Sequence, residues 1–173
     1  MTVFFIIFLF TLGLVPFVYL TNTKVNQVER IPVQEVVTQD FSYTNWVASD
    51  GSEMVFAANT FYWYKTSTDH SDNYYFGKYE IYIGSDAVDF ITTDLSNYGV
   101  TRSELESVFA KNEEYSEDNF IAVNLNYSRM VINGETSVPE ITLVPWYGFI
   151  LDDGTILDVA NMNTGTYYKF TKN

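Results

Sequence analysis

The stretch Tyr74-Tyr75-Phe76-Gly77-Lys78-Tyr79-Glu80-Ile81-Tyr82-Ile83-Gly84 limits the fold more than any other part of the chain. Taken with period two, Tyr75, Gly77, Tyr79, Ile81 and Ile83 share one face, and Tyr74, Phe76, Lys78, Glu80 and Tyr82 share the other. Alternation of this kind in an aromatic-rich run predicts a half-buried β-strand, because successive strand side chains point to opposite sides of a sheet. An earlier aromatic run, Phe61-Tyr62-Trp63-Tyr64, is joined to it through the polar segment 66–73, so the two are expected to form a long hairpin. The rest of the chain must supply partners for that apolar surface.

Strands are expected on both sides of it. Phe41 to Ala48 opens the domain, with Trp46 as its first large core candidate, and Asp50-Gly51-Ser52 turns the chain into Glu53 to Ala57. Between residues 85 and 112 the period becomes helical. Ala87, Val88, Ile91 and Leu95 share one face, and Gly99 is placed to end that helix in the left-handed conformation. Thr101-Arg102-Ser103-Glu104 reads as a capping box, followed by the buried stripe Leu105, Val108 and Phe109. Alternation resumes with Ile121, Val123, Leu125 and Tyr127; Asn133-Gly134 is a hairpin turn after Met130 to Ile132. Further strands are expected at Ile141 to Val144, Trp146 to Leu151, Ile156 to Val159 and Thr166 to Thr171. The fold class is therefore mainly β: an antiparallel, barrel-like meander with a two-helix insertion, preceded by one N-terminal transmembrane helix.

That helix is the apolar run from Val3 to Leu20, uncharged and close to the ~20 residues a hydrocarbon core requires. A cleaved signal peptide is the competing reading; against it, there is neither a basic leading region nor an Ala-x-Ala-like site. The expected organisation is an anchor at 1–20, a linker at 21–39 and a β-rich domain at 40–173. Lys24 and Arg30 follow the span, which by the positive-inside rule alone would leave the domain in the cytoplasm. The body is rich in Tyr, Asn, Thr and Ser and poor in Lys, and on that composition an extracytoplasmic domain on a single-pass membrane anchor is expected.

A formal charge of -13, all of it after Leu20, argues against nucleic acid and against anionic lipid surfaces. The absence of cysteine excludes disulfides, thiolate catalysis and cysteine-ligated metal centres. The single histidine lies in Asp69-His70-Ser71-Asp72, where neighbours in one loop do not make a catalytic triad. Acidic residues gather at Glu113, Glu114, Glu117 and Asp118 and at Asp152, Asp153 and Asp158, without the spacing of a calcium loop. No phosphate loop, dinucleotide fingerprint, nucleophile elbow or zinc-protease motif occurs, so no cofactor and no metal is expected.

What is left over is aromatic surplus, since both faces are aromatic at 61–64 and 74–76. A thick core with tyrosine hydroxyls at its rim explains part of it. The functional reading is a non-catalytic binding module. Trp63, Tyr64, Tyr75, Tyr79, Trp146 and Tyr168 would line a barrel surface for a hydrophobic ligand, a glycan or a protein. A structural subunit of a cell-envelope complex is the alternative, and a hydrolase using paired carboxylates ranks below both.

Several patterns occur together: Trp46-x3-Asp50-Gly51-Ser52, Tyr75-x-Gly77-x-Tyr79-Glu80 through Gly84-x-Asp86-Ala87, Tyr98-Gly99-Val100-Thr101 and Asn161-Met162-Asn163-Thr164. In these the chain resembles a group of uncharacterised single-pass extracytoplasmic proteins of clostridia-like Gram-positive bacteria. The resemblance covers roughly Trp46 to Lys172 and the N-terminal apolar run. It implies an anchor and an outward orientation and carries over no catalytic residue. The domain also looks faintly similar to a lipocalin or other calycin barrel, with Thr44-Asn45-Trp46 where a lipocalin has Gly-x-Trp. Ligand binding is what that likeness implies.

Overall fold

The computed structural model describes residues 41–173. The expected anchor at 1–20 and linker at 21–39 lie outside the described residues, and among those described no helix is long and apolar enough to cross a membrane.

The strands are β1 (Thr44–Ala48), β2 (Glu53–Phe56), β3 (Thr60–Thr66), β4 (Asp69–Ile83), β5 (Phe120–Ile132), β6 (Glu135–Ser137), β7 (Leu143–Leu151), β8 (Ile156–Asn161) and β9 (Tyr167–Lys172). They hydrogen-bond in the order β4-β3-β2-β1-β9-β8-β7-β5-β6, and β4 pairs with β5 as well. That last pairing closes eight antiparallel strands into a ring, with β6 a short arm folded back on β5. Once β6 is set aside, each neighbour in the ring is also the next strand in the chain, except at the seam where the first strand, β1, meets the last, β9. The result is an up-and-down barrel, compatible with a calycin-like fold.

Two glycines permit the closure. Gly77 on β4 and Gly148 on β7 both take inward positions, and a Cβ on either would lie 1.9 Å from a backbone oxygen, of Asn126 and Asp158 respectively. The bare backbones thus approach more closely than side chains allow, as sharply coiled barrel walls require. Beside Gly77 the register of β4 against β5 slips, so that Gly77 faces Tyr127 while Phe76 faces Arg129. Ser128 is the extra residue of this bulge.

The insertion packs on the outer face of the barrel. Helix α1 (Ser85–Asp89) runs into a π-helical turn at Phe90–Asp94 and a 3-10 turn at Ser96–Tyr98, closed by Gly99 at φ 79. The sequence predicts one regular helix here. The wider turn instead carries Phe90 to the same side as Ile91 and Leu95, where its ring stacks on Tyr82 at 4.2 Å. Helix α2 (Arg102–Phe109) begins with the expected capping box from Thr101 to Glu104. Its Leu105, with Val108 and Phe109, joins the α1 residues over Phe120, Ala122 and Phe149 of the barrel wall.

Two expected breaks are continuous strand. The polar segment 66–73 is mostly β4 itself, leaving only Ser67 and Thr68 to turn. Pro145 lies inside β7 rather than between two strands. Its carbonyl accepts from Met162 N–H at 2.9 Å, beyond the end of β8, so its missing N–H falls where that ladder has ended.

Candidate functional site

The barrel has two distinct ends. The β1–β2, β3–β4, β5–β7 and β8–β9 connections lie at the upper end; the start at Phe41, the β2–β3 turn and the helical insertion lie at the lower. Alternation sends Trp46, Met54, Phe56, Phe61, Leu125, Trp146 and Phe170 inward to form the core, and the buried charged residues among those described, Glu53 and Asp158, lie on outward positions.

At the lower end Phe41 stacks on Trp46 with ring centres 5.5 Å apart and meets Phe56 edge-on, and Phe56 in turn meets Tyr79 at 4.8 Å. The polar atoms these rings bring inside have partners. Trp46 Nε1 donates to Thr44 Oγ1 at 2.9 Å, Thr44 Oγ1 donates to the Phe41 carbonyl at 2.7 Å, and the Tyr79 hydroxyl donates to the Ala57 carbonyl at 2.8 Å.

The upper end is built of larger rings. Trp63 stands edge-on to Trp146 at 5.2 Å and to Tyr168 at 5.6 Å, and Trp146 stacks on Tyr168 at 4.9 Å. Tyr75 lies 5.9 Å from Trp63 and stacks on Tyr127 at 4.9 Å. Trp63, Tyr75 and Tyr168 are half-buried and form the mouth, while Trp146 and Tyr127 are buried beneath them. Three donors here have no hydrogen-bond partner: Trp63 Nε1, Trp146 Nε1 and the Tyr127 hydroxyl. An indole N–H can point into a neighbouring ring, but the perpendicular tryptophan pair can satisfy only one indole that way. Burial is the main reason the Tyr127 phenol is held well above its ordinary pKa, with Tyr75 and Tyr168 adding to it, so it stays neutral and protonated. Burial, then the Asp50 carboxylate and Tyr75, also raises Tyr168.

Of the residues expected to line a binding surface, Trp63, Tyr75, Trp146 and Tyr168 therefore meet at the upper end. Tyr79 faces inward but belongs to the lower group. Tyr64 faces outward, where it packs with Tyr62 at 5.6 Å and Tyr74 at 5.7 Å. Tyr127 completes the upper site and was legible only as core, by its alternation with Leu125 and Val123.

Other chemistry-bearing groups are dispersed. His70 sits on β4 rather than in a loop. It stacks on Tyr64 at 3.8 Å, and its Nε2 shares a 2.7 Å hydrogen bond with the buried carboxylate of Glu53. Asp152 and Asp153 occupy an exposed turn, and Glu113, Glu114 and Asp118 are exposed. Asp158 is buried on the outer side of β8 with an unpaired Oδ1, and desolvation raises its pKa to about 6 against the opposing pull of Lys169. Among the described residues no group of three or more His, Cys, Asp or Glu is arranged to hold a metal ion. A cavity of about 340 Å³ lies along the β5–β6 arm, lined by Met130, Ile132, Asn133, Glu135, Thr136 and Ser137 and by none of the upper-end rings. No family model matches the chain, and neither a curated protein nor a solved structure matches it.

Proposed function

We propose that the protein is a non-catalytic binding barrel, tethered outside the cell membrane through residues 3–20, that takes a small neutral molecule at its upper end. The convergence of Trp63 Nε1, Trp146 Nε1 and the Tyr127 hydroxyl, all buried and unpaired, carries this reading. Each buried donor left without an acceptor costs about 1–3 kcal/mol. A molecule bringing acceptors to this spot relieves that cost, whereas one bringing donors does not.

The surroundings restrict the ligand further. Both buried carboxylates, Glu53 and Asp158, are on the outward faces of their strands, so the core beneath the mouth offers an ion no partner, and the Asp50 carboxylate, which acts on Tyr168 at the mouth itself, disfavours an anion there. Ring faces of Trp63, Tyr75 and Tyr168 suit a flat apolar body. The ligand class is thus a planar, uncharged compound with carbonyl-type oxygens.

Native mass spectrometry of the full chain, released from its own membranes into mild detergent, tests this. A small non-protein mass that departs on denaturation, and is retained less by Trp146→Phe, is the expected result. A bare chain whose Trp63 and Trp146 indole protons exchange with water as fast as surface indoles would overturn the reading, because hydration would already satisfy the donors.

A further inference from the structure

A different face of the barrel carries a second site, argued from residues that the upper end does not use. We propose that the outer face of β3, β4 and β5 binds an extended oligosaccharide bearing carboxylates. Tyr62, Tyr64, Tyr74 and Phe76 form a continuous half-buried platform there: Tyr62 lies 4.8 Å from Phe76 and 5.8 Å from Tyr74. Unlike the wall beneath α1 and α2, this platform is covered by no element among the described residues.

Arg129 supplies the cation. Its guanidinium lies over the rings of Phe76 and Tyr74, at 4.9 and 5.7 Å, and its Nε is shielded with no hydrogen-bond partner. The ion pairs among the described residues are His70–Glu53 and Arg102–Asp89, so among those residues Arg129 has no carboxylate partner. Of the carboxylates on this face, Glu53 is engaged by His70 and Glu80 by Asn124 and Tyr82, while Asp72 stands exposed beyond Tyr74 at the upper edge of the platform. At the far end of the same strand face, Asn124 Oδ1 is also buried and unpaired. A ligand reaching from Asn124 to Arg129 spans about 15 Å at the rise of a strand, the length of several sugar rings rather than one small molecule.

The topology selects among extended ligands. A peptide recognised by strand addition needs a free edge, and β3, β4 and β5 are each paired on both sides within the barrel. A saccharide uses a face instead. Its C–H surfaces lie on the rings, its hydroxyls meet tyrosine hydroxyls and the Asn124 amide, and its carboxylate accepts from the Arg129 fork. The net charge of -13 repels a polyanion at a distance, so the preference for the acid has to come from the short-range contact with Arg129.

Titration calorimetry on the full chain in non-ionic detergent micelles, with an oligogalacturonate, its methyl ester and polyglutamate, tests the proposal. The acid should bind with a Kd at or below about 1 mM and at least about tenfold more tightly than the ester. Arg129→Gln should abolish that preference, Tyr74→Ala should weaken both saccharides, and Arg129→Lys, which keeps the charge, should fall between wild type and Gln. Equal binding of acid and ester, polyglutamate binding as well as the sugar acid, undiminished binding by Arg129→Gln, or no heat from the acid at millimolar concentration would each overturn it. Should Arg129→Gln fail to fold, the acid-to-ester ratio of the wild-type chain and of Arg129→Lys still decides the matter.

Discussion

Trp46 and Trp146 are both sealed in the barrel core, at 0% and 1% exposure, yet only Trp46 has somewhere to send its N–H. The same contrast divides Tyr79, bonded to Ala57, from Tyr127, bonded to nothing. The cause is local. At the lower end the chain arrives through Phe41 and turns at Ala57, so Tyr79 reaches the Ala57 carbonyl directly and Trp46 reaches the Phe41 carbonyl through the Thr44 hydroxyl. At the upper end Trp63, Tyr75, Tyr127 and Trp146 all project from paired strands, whose carbonyls are committed to the ladders. One end is closed by satisfied hydrogen bonds and serves the fold; the other keeps its donors free.

Gly77 lies between the two groups, with Tyr75 above it and Tyr79 below on the same face. Both ends therefore depend on the wall it makes with β5, and Gly148 plays the same part between β7 and β8. Gly148→Ala and Gly77→Ala each place a methyl group 1.9 Å from a backbone oxygen. Each should lower stability by about 4 kcal/mol or more, the largest effect expected from any single change here. Urea unfolding would measure it, and a loss under about 1 kcal/mol for either variant would mean that the strands can separate without opening the barrel.

These glycines also mark where the sequence stopped being legible. The meander, its order of strands and helices, and the inward set on β4 follow from alternation and turn residues, because strand side chains obey a strict period of two. A bulge breaks that period. Counted by twos from Ile121, Arg129 belongs with Tyr127 inside the barrel; the extra residue Ser128 turns it outward onto Phe76. The Glu53–His70 pair spans 17 residues and two strands, a proximity that only the β2–β3–β4 register creates. Surplus aromatics pointed to ring clusters on the barrel, but they did not separate Tyr64 on the outer face from Trp63 within. Nor could they show which donors lack acceptors, since that depends on where loop carbonyls end up.

Asp158 sharpens the contrast between the two ends, because its Oδ1 is buried and unpaired as the upper donors are, but the group can change its charge. Burial raises its carboxyl to about 6, Lys169 pulling the other way. The folded chain thus holds this proton more tightly than the unfolded one. That contribution to stability is complete below about pH 4 and disappears as the pH rises through about 6, with the ionised group a burden above it. Asp158→Asn should accordingly stabilise the fold by about 1–3 kcal/mol at pH 8 and by little at pH 4. An equal gain at both values would show that packing, not ionisation, is responsible. The indoles have no such relief. Trp46→Phe removes a satisfied N–H and leaves Thr44 short of a donor, whereas Trp146→Phe removes an unsatisfied one. In thermal unfolding of ligand-free protein, Trp46→Phe should be the more destabilising by about 1 kcal/mol or more.

The narrowest version of that test changes a single oxygen. Tyr79→Phe deletes the hydroxyl that donates to Ala57 at 2.8 Å, and should lower stability by about 1 kcal/mol. Tyr127→Phe deletes a hydroxyl that is buried without a partner, and should leave stability unchanged or raise it by up to about 1 kcal/mol. Both substitutions keep the ring, so neither opens a cavity, and the difference between them isolates hydrogen bonding from packing. If Tyr127→Phe is as damaging as Tyr79→Phe, the upper hydroxyl has an acceptor in solution and the two ends are alike. If it is harmless to the fold but weakens retention of the bound molecule, the Tyr127 hydroxyl is kept for the ligand rather than for the barrel.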